Sequence, residues 1–119
     1  MAIKKPNPDF VNGVPELLIL HLLSRQPMHG YDLVQTIREA SGNRLDFSEG
    51  CIYPVLHRLE EQKFLASKRE LVGARNRIVY RVTKQGQKRL NASIANWKSV
   101  VSAVNIVLQG SDYAKPALA

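Results

Sequence analysis

Lys63, Lys68, Arg69, Arg75, Arg77, Arg81, Lys84, Lys88 and Arg89 crowd one stretch just past the middle of the chain. Ammonium and guanidinium groups at that density are chemistry for a polyanion, whose charges they neutralise while releasing bound counterions. The excess is also global: 17 basic against 10 acidic residues leave a formal charge of +7 on 119 residues. A small domain that basic most often meets nucleic acid, although charge alone would also keep a protein soluble. From Leu90 onward only Lys98, Asp112 and Lys115 are charged. One surface is therefore expected to face a polyanion and another a protein partner.

Other chemistries find little support. His21, His29 and His57 are scattered, and no Cys/His spacing suits zinc, so no metal is expected. There is no nucleophile–base pair, no phosphate-cradling glycine loop and no catalytic carboxylate pair, so neither an enzyme nor a cofactor is expected. Cys51 is the single cysteine. It excludes an intramolecular disulfide, fits a reducing compartment, and lacks a resolving partner for redox sensing. The N-terminus, Met-Ala-Ile-Lys-Lys-Pro-Asn-Pro, has no apolar secretory core, and the longest apolar run, Leu17 to Leu23, is broken by His21. That run is far too short for a bilayer. The expectation is a cytoplasmic protein without a membrane partner.

The elements that must carry the cations follow from periodicity. With 45% hydrophobic and 23% charged residues, the chain fits one globular domain with a modest core. Residues up to about Asn12 read as an arm without helix, and Pro15 suits a first helical turn. Leu17 to Leu23 make a helix apolar nearly all round, to be buried in the core or against a partner chain. Gly30 opens a second helix with Tyr31, Leu33, Val34 and Ile37 as its stripe, ending at Ser41-Gly42-Asn43. Ser48 caps a third, whose inward face is Ile52, Val55, Leu56 and Leu59, with Pro54 placed in its first turn.

After Glu61 the period becomes two. Phe64–Val72 and Arg77–Val82 read as strands joined by the turn Gly73-Ala74-Arg75-Asn76, with Ile78, Tyr80 and Val82 alternating against Val79 and Arg81. Thr83 then caps a helix from about Lys84 to Leu108, about 37 Å long at ~1.5 Å per residue. Leu90, Ile94, Trp97, Val101, Val104 and Leu108 recur at a heptad a/d spacing along it. A helix that long cannot bury its seam on so small a domain, so the seam predicts a partner helix. The fold class is mainly α with a small β-hairpin. Residues 1–83 form the arm and a winged helix-turn-helix domain, 84–110 the dimerisation helix, and 111–119 a fraying tail.

Three blocks sharpen this order of elements: Met28-His29-Gly30-Tyr31-Asp32-Leu33, Gly50-Cys51-Ile52-Tyr53-Pro54-Val55-Leu56-His57-Arg58-Leu59-Glu60, and Val79-Tyr80-Arg81-Val82-Thr83-Lys84-Gln85-Gly86. Each is weak alone; with their spacing, from about Pro15 to Leu90, the chain resembles the PadR family of bacterial repressors. The long last helix is similar to the compact branch of that family. The resemblance implies double-stranded DNA as partner, met by Tyr31, Ser48, Gly50, Tyr53, Pro54, His57 and Arg58 around the recognition helix. It also implies a wing carrying Arg75 and Arg77, with Lys68 on the strand before them. Cys51-Ile52 stands where Thr-Leu is usual, and Gln62-Lys63-Phe64 replaces Asp-Gly-Leu, read here as a longer turn with an added cation.

Self-association through the seam would give a homodimer reading a pseudo-palindrome. Trp97, in mid-seam, is an interface anchor or, as in PadR-like multidrug sensors, one wall of a pocket for a small planar hydrophobic effector. Two rivals stand beside this regulator: a winged helix used as a protein-interaction adaptor, and a non-specific architectural DNA binder.

Overall fold

The computed structural model describes residues 8–110, with side chains from Gly13 onward. The expected tail at 111–119 lies outside the described residues. In chain order the elements are α1 (Pro8–Arg25), β1 (Met28–His29), α2 (Gly30–Ala40), α3 (Glu49–Glu61), β2 (Leu65–Val72), β3 (Arg75–Val82) and α4 (Lys84–Gln109).

One core joins the three helices to the base of the sheet. Ile19, Leu20 and Leu23 of α1 meet Leu33, Val34 and Ile37 of α2 and Ile52, Val55, Leu56 and Leu59 of α3, closed by Leu65, Tyr80 and Leu90. The start of α1 departs from expectation: the helix begins at Pro8, so residues 8–12 are not a helix-free arm. Pro8 fits a first helical position as well as Pro15 does. Pro15 lies mid-helix instead, where its fully buried ring offsets the lost backbone bond. Pro54 likewise sits in the second turn of α3, with its ring exposed. Tyr31 leaves the inward stripe of α2 and is 46% exposed.

α2 and α3 both end in Schellman turns. After α2, Gly42 N–H donates to Glu39 O and Asn43 N–H to Arg38 O. After α3, Lys63 N–H donates to Glu60 O and Phe64 N–H to Leu59 O, with Lys63 at φ +72°. Lys63 therefore does not lengthen the turn; it occupies the left-handed position that glycine fills without strain. Lys63→Gly is expected to stabilise the fold by about 0.5 to 1 kcal/mol, the left-handed strain being only partly offset by glycine's backbone entropy. Urea unfolding checks it: the midpoint rises at unchanged slope, whereas an unmoved midpoint contradicts the strain.

The sheet has three strands in the order β1-β3-β2. The hairpin turn is two residues, Gly73 at φ +65° and Ala74, so Arg75 belongs to the strand and pairs with Val72. The short β1 sets Met28 against Tyr80 and His29 against Val79. β3 is thus the central strand, and both Val79 and Tyr80 are buried. Ile78, which alternates in phase with Tyr80, is 40% exposed because the hairpin outruns the core.

Candidate nucleic-acid interface

Ser48 stands before α3 with its hydroxyl accepting from Cys51 N–H at 3.2 Å, which fixes where the recognition helix begins. With Ile52, Val55, Leu56 and Leu59 turned inward, Gly50, Pro54 and His57 are exposed and Tyr53 is half-buried at their flank. Cys51 is half-buried and free. The outer face of α3 is therefore open and bears small or aromatic groups suited to a groove.

Tyr53 is held by an absence. A Cβ at Gly30 would lie 2.5 Å from Tyr53 Cε1 and 2.7 Å from its Oη, so the phenol rests on the bare backbone where α2 begins. His29 caps that helix, its Nδ1 accepting from Asp32 N–H at 3.3 Å. Its ring stacks on Tyr31 with centroids 6.4 Å apart. Burial, and then the nearby Glu49 carboxylate, push the Tyr53 pKa above the usual tyrosine value, with Arg77 acting the other way. The hydroxyl consequently stays protonated at neutral pH and is available to donate to an anion. Tyr53, His57, His29 and Arg77 line one cleft of about 280 Å³ between recognition helix and wing. Gly30→Ala is expected to push the Tyr53 ring aside and lower duplex affinity about 10-fold, the value of one charge-assisted hydrogen bond. Filter binding beside thermal unfolding tests this; unchanged affinity in a folded variant would show that Tyr53's seat does not matter.

The wing presents two different faces. Ser67 Oγ donates to Glu60 Oε2 of α3 at 2.6 Å, and Leu65 and Tyr80 enter the core, so this face looks toward the recognition helix. Strand pairing carries the same face outward through Arg69, Leu71, Asn76 and Ile78. Arg75 and Arg77 share the other face with Lys68 and Arg81. Arg77, beyond the end of β1, still reaches the cleft. Arg81 is bound to Glu70 at 2.8 Å. Among the described residues, Lys68, Arg69, Arg75 and Arg77 have no acidic partner within ion-pair distance. Arg69 is not among the wing residues that the resemblance implies; strand alternation anchored on Leu65 puts it on the face toward the recognition helix.

Arg58 goes elsewhere. Its Nη2 donates to Glu16 Oε1 at 3.0 Å, on the side of α3 toward α1, and not to the cleft. Arg89 of α4 donates through Nε to the other oxygen, Oε2, at 2.8 Å, and its guanidinium also lies 5.2 Å from the centre of the Phe64 ring. The hydrogen bond that Arg89 donates to the Glu16 carboxylate raises the Arg89 pKa further above its already high ordinary value, against a smaller desolvation effect.

Of the heptad seam, Leu90 is buried and Ile94 half-buried on the chain's own core. Trp97, Val101, Val104 and Leu108 are 40%, 36%, 49% and 73% exposed, and Val100 and Val107 broaden the stripe. Beside Trp97, a groove of about 310 Å³ is walled by Gly13 and Leu17 of α1 and by Arg89, Ala92, Ser93 and Asn96 of α4. Among the described residues no group of His, Cys, Asp and Glu could hold a metal, and no helix is long and apolar enough to cross a membrane.

Three helices, a basic two-stranded wing and an open recognition-helix face define a winged helix-turn-helix DNA-binding protein. The sequence model of the transcriptional regulator PadR-like family matches residues 19–92. The chain belongs to this family, in its compact form with one long C-terminal helix, and is a DNA-binding transcriptional regulator. It is 38% identical over 82 residues to transcriptional regulator Rv3488 of Mycobacterium tuberculosis, covering 69% of this chain and 74% of that one. Its fold is similar to the PadR family regulator of Eggerthella lenta, with 30% identity, coverage of 85% and 87%, and a TM-score of 0.73. The PadR-like regulator of Bacillus cereus gives 28% identity, coverage of 85% and 97%, and again a TM-score of 0.73.

Proposed function

We propose that the chain is a ligand-responsive repressor that binds a pseudo-palindromic operator as a homodimer. The observation that carries this reading is the outer half of α4, where an apolar stripe from Trp97 to Leu108 is exposed and has no cover among the described residues. Two such stripes packed about a two-fold axis would hide that surface and hold two recognition helices at a fixed separation. Half-sites about one helical turn apart would then be read together. Tyr31, Ser48, Gly50, Tyr53, Pro54 and His57 supply the groove-facing surface, and Lys68, Arg75 and Arg77 the wing cations. Arg58, tied to Glu16, offers only the remainder of its fork to a phosphate.

In this reading a planar hydrophobic effector sits against Trp97, between the subunits. Because it prefers one separation of the two halves, it weakens operator binding by its differential affinity, typically about 1–3 kcal/mol of coupling. Trp97 is the one tryptophan of the chain. Quenching of its fluorescence by planar aromatics, with parallel loss of operator binding, is the expected result; a panel that never perturbs the emission counts against the pocket. For the wing, Arg75→Ala is expected to weaken binding to all duplexes and lower the salt slope by about one unit. An unchanged slope takes Arg75 out of the interface.

A further inference from the structure

We propose that Glu16 is a positioning residue for DNA binding, its carboxylate clamping recognition helix α3 to α4 and so setting how the two recognition helices of a dimer are oriented. The role rests on the dimeric reading above and adds to it the part that transmits orientation.

Three elements far apart in sequence meet at this one side chain. Glu16 is on α1 and its side chain is only 10% exposed. Oε1 accepts from Arg58 Nη2 at 3.0 Å and lies 3.5 Å from Arg89 Nη2; Oε2 accepts from Arg89 Nε at 2.8 Å. Among the described residues no buried side-chain polar atom lacks a partner, so the burial is fully compensated.

Stability alone does not call for this arrangement. Taking a carboxylate out of water is costly, and apolar residues of similar volume commonly hold helices together as well or better. What charged forks add is direction: an arginine–carboxylate pair fixes angle and register, while apolar faces slide. The two arginines are placed where direction matters. Arg58 lies one turn from the end of the helix that enters the groove, and Arg89 precedes the seam residues Leu90 and Ile94. Arg89 is further pinned over Phe64, the second residue beyond the cap of α3. A tilt of α4 would be passed through Glu16 to α3. Since Arg89 also walls the groove at Trp97, an occupant of that groove would touch the clamp itself.

The test uses the full chain, its selected operator, and operators with the half-site spacing changed by one base pair either way. Glu16→Gln keeps the size of the side chain and removes its charge. Arg89→Met keeps the Arg58–Glu16 pair and alters a side chain that is already 45% exposed. Each is checked for folding and dimerisation before affinities are compared with those for a scrambled duplex. Both are expected to lower operator affinity about 10-fold and to leave the scrambled duplex and the salt slope nearly unchanged, the size of a long-range coupling. Both should also flatten the dependence on spacing, and the double variant should be no worse than the singles. Parallel loss on operator and scrambled duplex, or an unchanged spacing profile in folded dimers, overturns the proposal. If Glu16→Gln does not fold, Arg89→Met decides by the same criteria. A wild-type chain indifferent to spacing overturns the dimeric reading first, and this role with it.

Discussion

Gly86→Ala is expected to lower the melting temperature by about 10 to 15 °C, corresponding to a loss of roughly 3 kcal/mol. The reason is a backbone crossing. Gly86 is buried in the first turn of α4, and a Cβ there would lie 2.1 Å from the carbonyl oxygen of Phe64. That oxygen is not free to retreat, because it accepts from Thr83 N–H at 3.1 Å. Thr83 Oγ1 in turn donates to Lys63 O at 2.7 Å and accepts from Gly86 N–H at 3.0 Å. The clash therefore disturbs the whole seat of α4 on the end of α3. It differs from the crowding at Gly30, where the obstacle is a side-chain ring that can swing away. Scanning calorimetry at fixed protein concentration checks the value; a shift below about 3 °C would mean that the crossing relaxes freely.

The second large effect is on assembly. Val104→Glu is expected to leave the chain monomeric at concentrations where the wild type sediments as a dimer, and to weaken operator binding by about 100-fold or more. Val104 lies mid-stripe and is 49% exposed on its own chain. Two-fold packing would bury the substitution twice, placing unpaired carboxylates in an apolar interface. Each monomer would then hold one half-site without the local concentration supplied by the other. Ser99→Glu, on the opposite side of α4, is the matched control and should change neither property. A Val104→Glu chain that stays dimeric would place the interface elsewhere.

Much of this architecture was legible in residues whose signals are local. Ser48 and Thr83 marked the starts of α3 and α4 because a short oxygen-bearing side chain before a periodic run satisfies the first free N–H groups. The inward face Ile52, Val55, Leu56 and Leu59 followed from the helical period alone, and all four are buried. Features that depend on tertiary company were not legible. β1 is two residues long and exists because β3 has a free edge beside it. Ile78 falls on the inward side of an alternating strand, yet the core ends before reaching it. Pro8 and Pro15 carry the same helix-start signal, and only burial of the Pro15 ring decides between them.

The candidate site divides along the same line. Tyr53, His57 and Arg77, which the sequence names separately, line one cleft. The bare backbone of Gly30 that seats Tyr53 has no sequence signature, since Gly30 reads equally well as a simple helix start. The Arg58–Glu16–Arg89 cluster links residues 42 and 73 positions apart, beyond any local pattern, so Arg58 read simply as an outward cation. From sequence Lys63 reads as a turn extension with an added cation, whereas its consequence lies in its backbone angle.

Selection of bound duplexes from a random DNA pool at physiological salt, followed by sequencing, separates a dimeric sequence-specific regulator from a non-specific binder and from a protein adaptor. A homodimeric sequence-specific regulator predicts enrichment of a two-fold symmetric sequence with half-sites centred about one helical turn apart. Retention of the pool without enrichment, or no retention at all, would contradict it.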